Sequence, residues 1–172
     1  MAGQDRTLEL LNSAPDDEAL RAELAACCAA GSWVTALAAG RPFADRDELF
    51  AASDAAIAEL TEVGFAEALA AHPRIGERTS AEWSRQEQSG MASASADLRA
   101  ELVAANAAYE QRFGQVYLVC ATGRTAEELL ASCRSRLGND QSTERAVVLA
   151  ELAKISRLRL GKLLDSEGGT AR

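Results

Sequence analysis

The chain has 172 residues, of which 48% are hydrophobic and 5% aromatic, so it is long enough to bury its own core, and we predict one domain over residues 1–172. The net charge of −8 excludes the basic surface of a nucleic-acid-binding protein. No apolar run is long enough to span a bilayer and no signal-peptide core is present, so we expect a cytoplasmic protein with no membrane partner.

Helical periodicity runs through almost the whole chain, which predicts an all-α fold in a single compact helical domain. Glycines divide the pattern, and we predict that Gly31, Gly64 and Gly90 each end a helix or separate two helices. The predicted helices cover approximately residues 7–11, 15–30, 33–39, 45–60, 65–71, 79–88, 98–113, 125–138 and 143–164. Residues 165–172 are predicted to form a loose tail.

Local signals refine this pattern. Residues 116–120 form a short apolar run of β-forming residues with no obvious strand partner, and we predict a buried extended connector there. Three helix starts carry the pattern of a capping box, in which two side chains bond reciprocally to backbone N–H groups. These pairs are Asp45 with Glu48, Thr79 with Glu82, and Thr125 with Glu128.

The four cysteines show no metal-binding or redox spacing, and Cys27 and Cys28 are adjacent on a predicted helix, where their side chains diverge. With one histidine, a two-histidine metal site is excluded within one chain. We therefore predict that the cysteines are small buried side chains in a reducing compartment and that no metal is bound. A nucleophilic pair of Cys120 and His72 stays open, supported only by residue type.

The one histidine, His72, lies in the turn Ala-His-Pro-Arg-Ile-Gly-Glu-Arg. Because histidine alone has an unperturbed pKa near neutrality, His72 is the first candidate for proton transfer. Pro73 restricts the backbone of His72 to extended conformations, and Gly76 allows the chain to turn again. A solvated loop histidine is the alternative.

A second candidate is the polar face of the helix that follows this turn. Ser84, Glu87 and Gln88 are spaced three and four residues apart, so a helix presents their hydroxyl, carboxylate and amide side by side. An ordinary solvated face is the alternative. The face is of catalytic interest only if the His72 turn packs over it.

The third candidate is Arg159, which continues the apolar stripe of Val148, Leu152 and Ile155 in the last predicted helix. A guanidinium directed toward a core requires an anionic partner, either a carboxylate side chain or a ligand. The alternative is a side chain that extends to water near the helix end.

Several common catalytic motifs are absent from the sequence: it has no Gly-rich phosphate loop, no Gly-x-Ser-x-Gly elbow and no His-Glu-x-x-His motif. We therefore expect an enzyme with these residues to work by acid–base and electrostatic means. Its substrate would supply its own electron sink.

The chain resembles the decarboxylase that acts on 2-oxo-4-hydroxy-4-carboxy-5-ureidoimidazoline (OHCU), the last intermediate between urate and allantoin. Three motifs in order carry the resemblance: His72-Pro73-Arg74-Ile75-Gly76-Glu77, Ser84-x-x-Glu87-Gln88, and Asn106-x-x-Tyr109-x-x-x-Phe113-Gly114. Weaker matches lie at Trp33 and at residues 41–43, 123–124, 136–139 and 154–160.

The resemblance implies an all-α homodimer that converts OHCU to (S)-allantoin and needs no metal or organic cofactor. It implies that His72 and Glu87 are the catalytic pair and that Arg159 serves the anionic part of the substrate. It further implies a substrate pocket lined by Pro73, Ser84, Gln88, Leu118, Val119, Cys120, Ala121 and Thr122, the last five partly through their backbone.

Two other functions stay open at this stage. One is a hydrolase or lyase of a neighbouring ureide step on the same scaffold. The other is a non-catalytic helical interaction module with an acidic surface. Val116-Tyr117 also departs from the Pro-Phe pair found in many family members, which leaves the pocket lining less defined.

Overall fold

The computed structural model describes residues 5–77 and 82–167. Within these ranges the chain forms nine α-helices and no β-strand, which confirms the predicted all-α fold. The helices are α1 (Arg6–Ser13), α2 (Glu18–Cys27), α3 (Gly31–Gly40), α4 (Arg46–Ala58), α5 (Glu62–Ala70), α6 (Glu82–Glu87), α7 (Ala96–Phe113), α8 (Ala126–Arg136) and α9 (Gln141–Glu167). A 3₁₀ turn, Ser89–Met91, lies between α6 and α7.

The helix breaks predicted at Gly31 and Gly64 exist, but each glycine lies in the helix that follows the break. Gly31 is the first residue of α3, and its N–H donates a hydrogen bond of 2.9 Å to the side chain of Glu67. Gly64 is the third residue of α5, where an added Cβ would lie 3.1 Å from Leu60 Cδ2 and 3.2 Å from Ser32 Oγ. The weak helix propensity of glycine is therefore offset by close packing at this position.

Other helix boundaries also differ from the predictions. The second helix begins only after its N-cap, Asp17, and ends three residues earlier than predicted, at Cys27. Gly90, predicted to stop a helix, lies in the 3₁₀ turn, and α8 ends at Arg136. The helix α9 continues to Glu167, so the predicted loose tail is wrong for residues 165–167, and residues 168–172 lie outside the described ranges.

The predicted capping boxes have three different outcomes. At α8 both reciprocal bonds between Thr125 and Glu128 are present, as predicted. At α4 Asp45 accepts from the N–H of Glu48 at 2.8 Å, whereas the Glu48 carboxylate accepts from the N–H of Ala44 instead of Asp45. The pair at Thr79 lies outside the described residues.

The described chain divides into two compact units. The first contains residues 5–68 and 153–167, and the second contains residues 69–77 and 82–152. This division does not test the prediction of one domain over residues 1–172, which stays a prediction.

In the first unit, buried polar contacts connect the helices around an apolar core. The Trp33 indole donates a hydrogen bond of 3.1 Å to the Ser53 hydroxyl, and both residues are fully buried. Asn12 both donates to and accepts from the backbone of Phe43, at 2.8 and 2.9 Å. Arg46, at the start of α4, binds the carboxylate of Asp5, which is the N-cap of α1.

In the second unit apolar side chains of α7 face the core. Leu102, Tyr109 and Phe113 are buried against α8, and Leu98 packs at the edge of the same cluster. The segment 116–120 belongs to no helix or strand, and Tyr117, Leu118 and Val119 in it are buried. The prediction of a buried connector outside a sheet is therefore confirmed.

Within the described residues, the four cysteines form no disulfide. Cys27, Cys28 and Cys133 are buried, as predicted, and Cys120 is half-buried. Of the described helices, none is by itself long and apolar enough to cross a membrane. Taken together, α2 and α3 meet a length and composition test for a span, with a bend of 118° between them.

Candidate active site

His72 lies two residues beyond the end of α5, in a turn of the second unit. Its backbone N–H donates to the carbonyl oxygen of Leu69 at 3.0 Å, and its side chain is half-buried, as is that of Pro73. The fully solvated loop histidine considered from the sequence is therefore not what the structure contains. Four residues later the backbone of Gly76 has φ +86°, a conformation that strains any residue with a Cβ.

The loop that begins at His72 is held against two helices. The side-chain oxygen of Gln88, just after α6, accepts a hydrogen bond of 2.8 Å from the N–H of Gly76. The buried amide of Asn106 on α7 donates to the carbonyl oxygen of Ile75 at 2.9 Å. The loop that carries His72 therefore contacts the Ser-x-x-Glu-Gln segment through Gly76 and Gln88.

An ion pair between Arg74 and Glu110 on α7 adds a third contact to the loop. The side chain of Arg74 is 55% exposed, so solvent screens this pair and its contribution to stability is small. The two hydrogen bonds at Gly76 and Ile75 are therefore the contacts that fix the loop.

The short helix α6 turns its polar face inward. Ser84 is 4% exposed and Glu87 is 8% exposed, whereas Gln88 is half-buried. A hydroxyl and a carboxylate are removed from water only where polar partners compensate them. The alternative of an ordinary solvated face is therefore wrong for Ser84 and Glu87.

Two cavities adjoin the loop, and their volumes are in the range of small-molecule sites. One of about 380 Å³ is lined by Gly76, Ser84, Gln88, Met91 and Arg99, among others. The other, of about 390 Å³, is lined by Arg74, Ile75, Val103, Asn106 and Glu110, among others. Two of the predicted site residues, Ser84 and Gln88, therefore share the wall of one cavity.

The segment Leu118–Thr122 also lies in the second unit, and buried charged side chains hold its backbone. The carbonyl oxygen of Leu118 accepts a hydrogen bond of 2.8 Å from Arg136, and the N–H of Cys120 donates one of 2.8 Å to Glu151. Val119 and Ala121 are buried, and Thr122 is exposed. The backbone of this segment is thus fixed by side chains from α8 and α9.

The 3₁₀ turn after α6 touches the chain just beyond this segment without an intervening side chain. A Cβ added at Gly90 would lie 2.0 Å from the carbonyl oxygen of Arg124. Real Cβ atoms do not approach so closely. Gly90 is therefore required by backbone contact, which is the physical reason for the glycine that the sequence suggested as a helix stop.

A buried polar cluster that contacts the backbone of Leu118 was not predicted from the sequence. Arg136 is 7% exposed and Glu144 is 1% exposed, and Arg136 Nε donates to Glu144 at 2.8 Å. Tyr109 and Asn139 also donate to the Glu144 carboxylate. A signal was present, because extending the stripe of α9 backwards by four residues from Val148 reaches Glu144.

Arg159 lies in the first unit and is 6% exposed, like the apolar residues whose stripe it continues. Its guanidinium donates to the carbonyl oxygen of Ala26 at 3.4 Å. This burial does not match the alternative in which the charged group extends to water. Burial raises the pKa of the neighbouring Cys27 to about 12, and the positive charge of Arg159 offsets only part of that rise.

Within the described residues, no group of three or more His, Cys, Asp or Glu side chains is placed to hold a metal ion. The structure brings His72, Pro73, Ser84, Glu87, Gln88 and the Leu118–Thr122 segment into one compact unit. Arg159 belongs to the other unit. The roles predicted for all of these residues stay predictions.

Comparison with known proteins is consistent with these features. The sequence profile of the OHCU decarboxylase family matches residues 12–161. The OHCU decarboxylase of Amia calva is 32% identical over 133 residues, a match that covers 73% of this chain and 76% of that protein. A crystal structure of OHCU decarboxylase in the presence of (S)-allantoin superimposes with a TM-score of 0.75 at 27% identity, covering 83% of this chain and 97% of the other.

A longer relative is the uric acid degradation bifunctional protein TTL of Arabidopsis thaliana. It is 30% identical over 149 residues, which is 82% of this chain and 46% of that protein. This chain therefore spans about half the length of the bifunctional relative.

The helical fold of the described residues, together with these relatives, is that of a small all-α enzyme. The chain belongs to the OHCU decarboxylase family. The family, the fold and the carboxy-lyase class predicted from the motifs are therefore confirmed. Membership of this family favours the decarboxylase over the alternative of a non-catalytic interaction module.

Proposed function

We propose that this chain decarboxylates OHCU to (S)-allantoin and that His72 and Glu87 are its acid–base pair. The observation that carries the proposal is the hydrogen bond between Gln88 and Gly76, because it ties the His72 loop to the helix that buries Glu87. A titratable imidazole and a desolvated carboxylate are thus held in one compact unit. Positioned acid–base groups of this kind are typical of catalytic sites.

The chemistry asked of these residues follows from the substrate. Loss of carbon dioxide breaks the carbon–carboxylate bond, and the electron pair passes into the adjoining ring system. A proton is then added to the ring carbon that carries the ureido group, and the face of addition sets the chirality. Because the ring accepts the electrons, we propose that no organic cofactor and no metal is needed as an electron sink.

In this proposal Glu87 orients the His72 imidazole and stabilises its charged form, and the pair moves the proton. Pro73, Ser84 and Gln88 bind the ring and the ureido group, and Arg159 binds the departing carboxylate. The cavity that Ser84 and Gln88 share supports their part in this assignment. Fixed donors of this type stabilise a developing oxyanion more effectively than mobile water does.

The remaining proposals rest on the family resemblance. We propose that residues 118–122 contact the substrate ring partly through their backbone. We also propose that the enzyme is a cytoplasmic homodimer whose only required partner in the reaction is the small-molecule substrate.

The decisive experiment generates OHCU in place, because the compound decays unaided. Urate, urate oxidase and 5-hydroxyisourate hydrolase supply OHCU, and circular dichroism follows allantoin after this protein is added. We expect a dichroic signal that appears faster than in the uncatalysed reaction and has the sign of the S enantiomer. Racemic product at the uncatalysed rate would overturn the proposal, and a His72→Asn preparation controls for contaminating activity.

A further inference from the structure

Two buried charged side chains hold the backbone of the segment Leu118–Thr122. Arg136 Nη1 donates to the carbonyl oxygen of Leu118, and Glu151 accepts from the N–H of Cys120, each at 2.8 Å. Arg136 is 7% exposed and Glu151 is 6% exposed. The burial of Arg136 is compensated by its ion pair with Glu144, and its remaining donors reach the backbone at Leu118.

Arg136 is itself held in one orientation. Its Nε donates to Glu144 at 2.8 Å, and its guanidinium carbon lies 4.8 Å from the centre of the Tyr117 ring. Glu144 is held in turn by the hydroxyl of Tyr109 and the amide of Asn139. Because the planar guanidinium offers its donors in a fixed fork, the contact with Glu144 fixes the direction in which Nη1 points at Leu118.

We propose that Arg136, fixed by Glu144, is a positioning residue that holds the backbone at Leu118 in one orientation, within the segment that the proposed function places against the substrate ring. The inference rests on the proposed function, in which residues 118–122 line the pocket. Arg136 touches no reacting atom in this account. It acts through Leu118, so that the pocket presents backbone groups whose direction is set before the substrate binds, which lowers the cost of ordering them on binding.

The test separates positioning from stability by comparing KM with kcat. The substitution Arg136→Lys retains the positive charge. The lysine ammonium group cannot reproduce the planar arrangement of donors with which the guanidinium binds Glu144 and Leu118 together. A uniform loss of substrate contacts raises KM with little change in kcat, so we expect KM for OHCU to rise about tenfold or more. A purely structural role would lower the melting temperature and the active fraction, and it would leave KM unchanged.

A second variant covers the case in which the lysine variant does not fold. Arg136→Met combined with Glu144→Gln removes both charges together and leaves no unpaired ion in the core, so folding is retained. We expect the same rise in KM. The matched control is Tyr109→Phe, which removes the hydroxyl that donates to Glu144 and accepts a long hydrogen bond of 3.5 Å from Arg136 Nη2, and which leaves Arg136 bound to both Glu144 and Leu118. This control lowers the melting temperature and leaves KM unchanged.

The measured KM values and exchange rates distinguish a positioning role of Arg136 from a purely structural one. An unchanged KM in both Arg136 variants, or an equal rise of KM in Tyr109→Phe, overturns the positioning role. A wild-type protein without decarboxylase activity overturns the proposed function and this role with it. Hydrogen exchange of the peptide that covers residues 116–122 gives a readout independent of activity, and unchanged exchange in both Arg136 variants also overturns the role.

Discussion

The side-chain oxygen of Gln88 lies 2.8 Å from the backbone nitrogen of Gly76 and accepts its hydrogen bond. This hydrogen bond connects the loop that carries His72 to the end of the helix that carries Glu87. The amide nitrogen of Gln88 still has two donors that this bond does not use. Gln88 can therefore hold the loop and bind a ligand at the same time.

Replacing Gln88 separates these two roles. Gln88→Ala removes the acceptor, so we expect faster hydrogen exchange at Gly76 and a lower kcat/KM. Gln88→Glu retains an acceptor oxygen but loses the amide donors, so we expect Gly76 to stay protected while the activity falls. Exchange followed by NMR and steady-state kinetics measure the two effects.

The matched control is Gln86→Ala on the same helix, whose side chain is exposed and bonds only to Glu82 among the described contacts. It should alter neither quantity. Unchanged exchange at Gly76 in Gln88→Ala would show that the hydrogen bond does not hold the loop.

Loss of either proposed catalytic group, His72 or Glu87, should reduce the rate severely. We expect His72→Asn and Glu87→Gln each to lower kcat by about 10²- to 10⁴-fold, the usual range for a positioned acid or base. Because the two side chains are proposed to act as a unit, the double variant should be little worse than the poorer single variant. Steady-state decarboxylation measures the rates, and far-ultraviolet circular dichroism checks the fold. Multiplying effects would contradict a shared step.

The contact between Asp5 and Arg46 should make stability depend on pH. The Arg46 guanidinium and then the Thr7 hydroxyl hold the pKa of Asp5 well below its usual range. A carboxyl with a lowered folded-state pKa stabilises the fold above its unfolded pKa, about 3.9, and this stabilisation is lost as pH falls through the folded value. Asp5→Asn retains an N-cap acceptor and removes the charge.

We therefore expect Asp5→Asn to lower the free energy of unfolding by about 1 kcal/mol at pH 7, a value reduced for solvent screening at this partly exposed site. The difference from wild type should shrink as pH falls below about 4. Urea unfolding at several pH values measures it. Asp16→Asn, at an exposed ion pair with Arg21, is the control and should have a smaller effect. A difference that persists undiminished in acid would contradict the assignment.

The cysteines should differ in reactivity. Burial raises the pKa of Cys27 to about 12 and that of Cys133 to about 11, and it also raises the pKa of Cys28. These thiols are therefore protonated and enclosed at pH 8. We expect a thiol reagent to modify one cysteine of the native protein, the half-buried Cys120, and to modify the other three only on unfolding. Cys120→Ala should remove the native reaction, and rapid native labelling of Cys27 would refute the prediction.

Two glycines should respond oppositely to alanine. At Gly90 a Cβ meets the carbonyl oxygen of Arg124, so we expect Gly90→Ala to destabilise the fold by about 3 kcal/mol, at the upper end for overpacking. At Gly161, in α9, an added Cβ meets nothing within 4 Å, and alanine should stabilise the helix by about 1 kcal/mol. Thermal unfolding measures both. Equal effects of the same sign would contradict this contrast.

The features that could be predicted from the sequence are those with local causes. The cap of α8 by Thr125 and Glu128 involves residues three apart, and the stripe that places Arg159 in the core follows the period of one helix. The position of Gly64 relative to the helix was predicted wrongly. Its lack of a Cβ allows close packing against Ser32, a residue distant in the chain. The helix boundary expected there depends on propensity alone, which packing readily outweighs.

In the candidate site, too, features with local causes could be predicted, and features that depend on distant contacts could not. The inward face of Ser84 and Glu87 could be inferred from spacing together with a resemblance. The ion pair of Arg136 and Glu144 could not, because its existence depends on both charges being buried at once across the turn between two helices. The polar contacts that hold Gly76 and Leu118 likewise join residues 12 and 18 positions apart, and no periodicity relates them.

The main-chain contact between Gly90 and Arg124 has a consequence for engineering this enzyme. No side chain lies between the backbone at Gly90 and the backbone at Arg124. The distance between these two segments is therefore set by the van der Waals radii of their backbone atoms. The side chains of Ser84 and of residues 118–122 can then be varied in the same library without changing that distance. Altered substrate preference is best sought at those positions, provided residue 90 is kept as glycine.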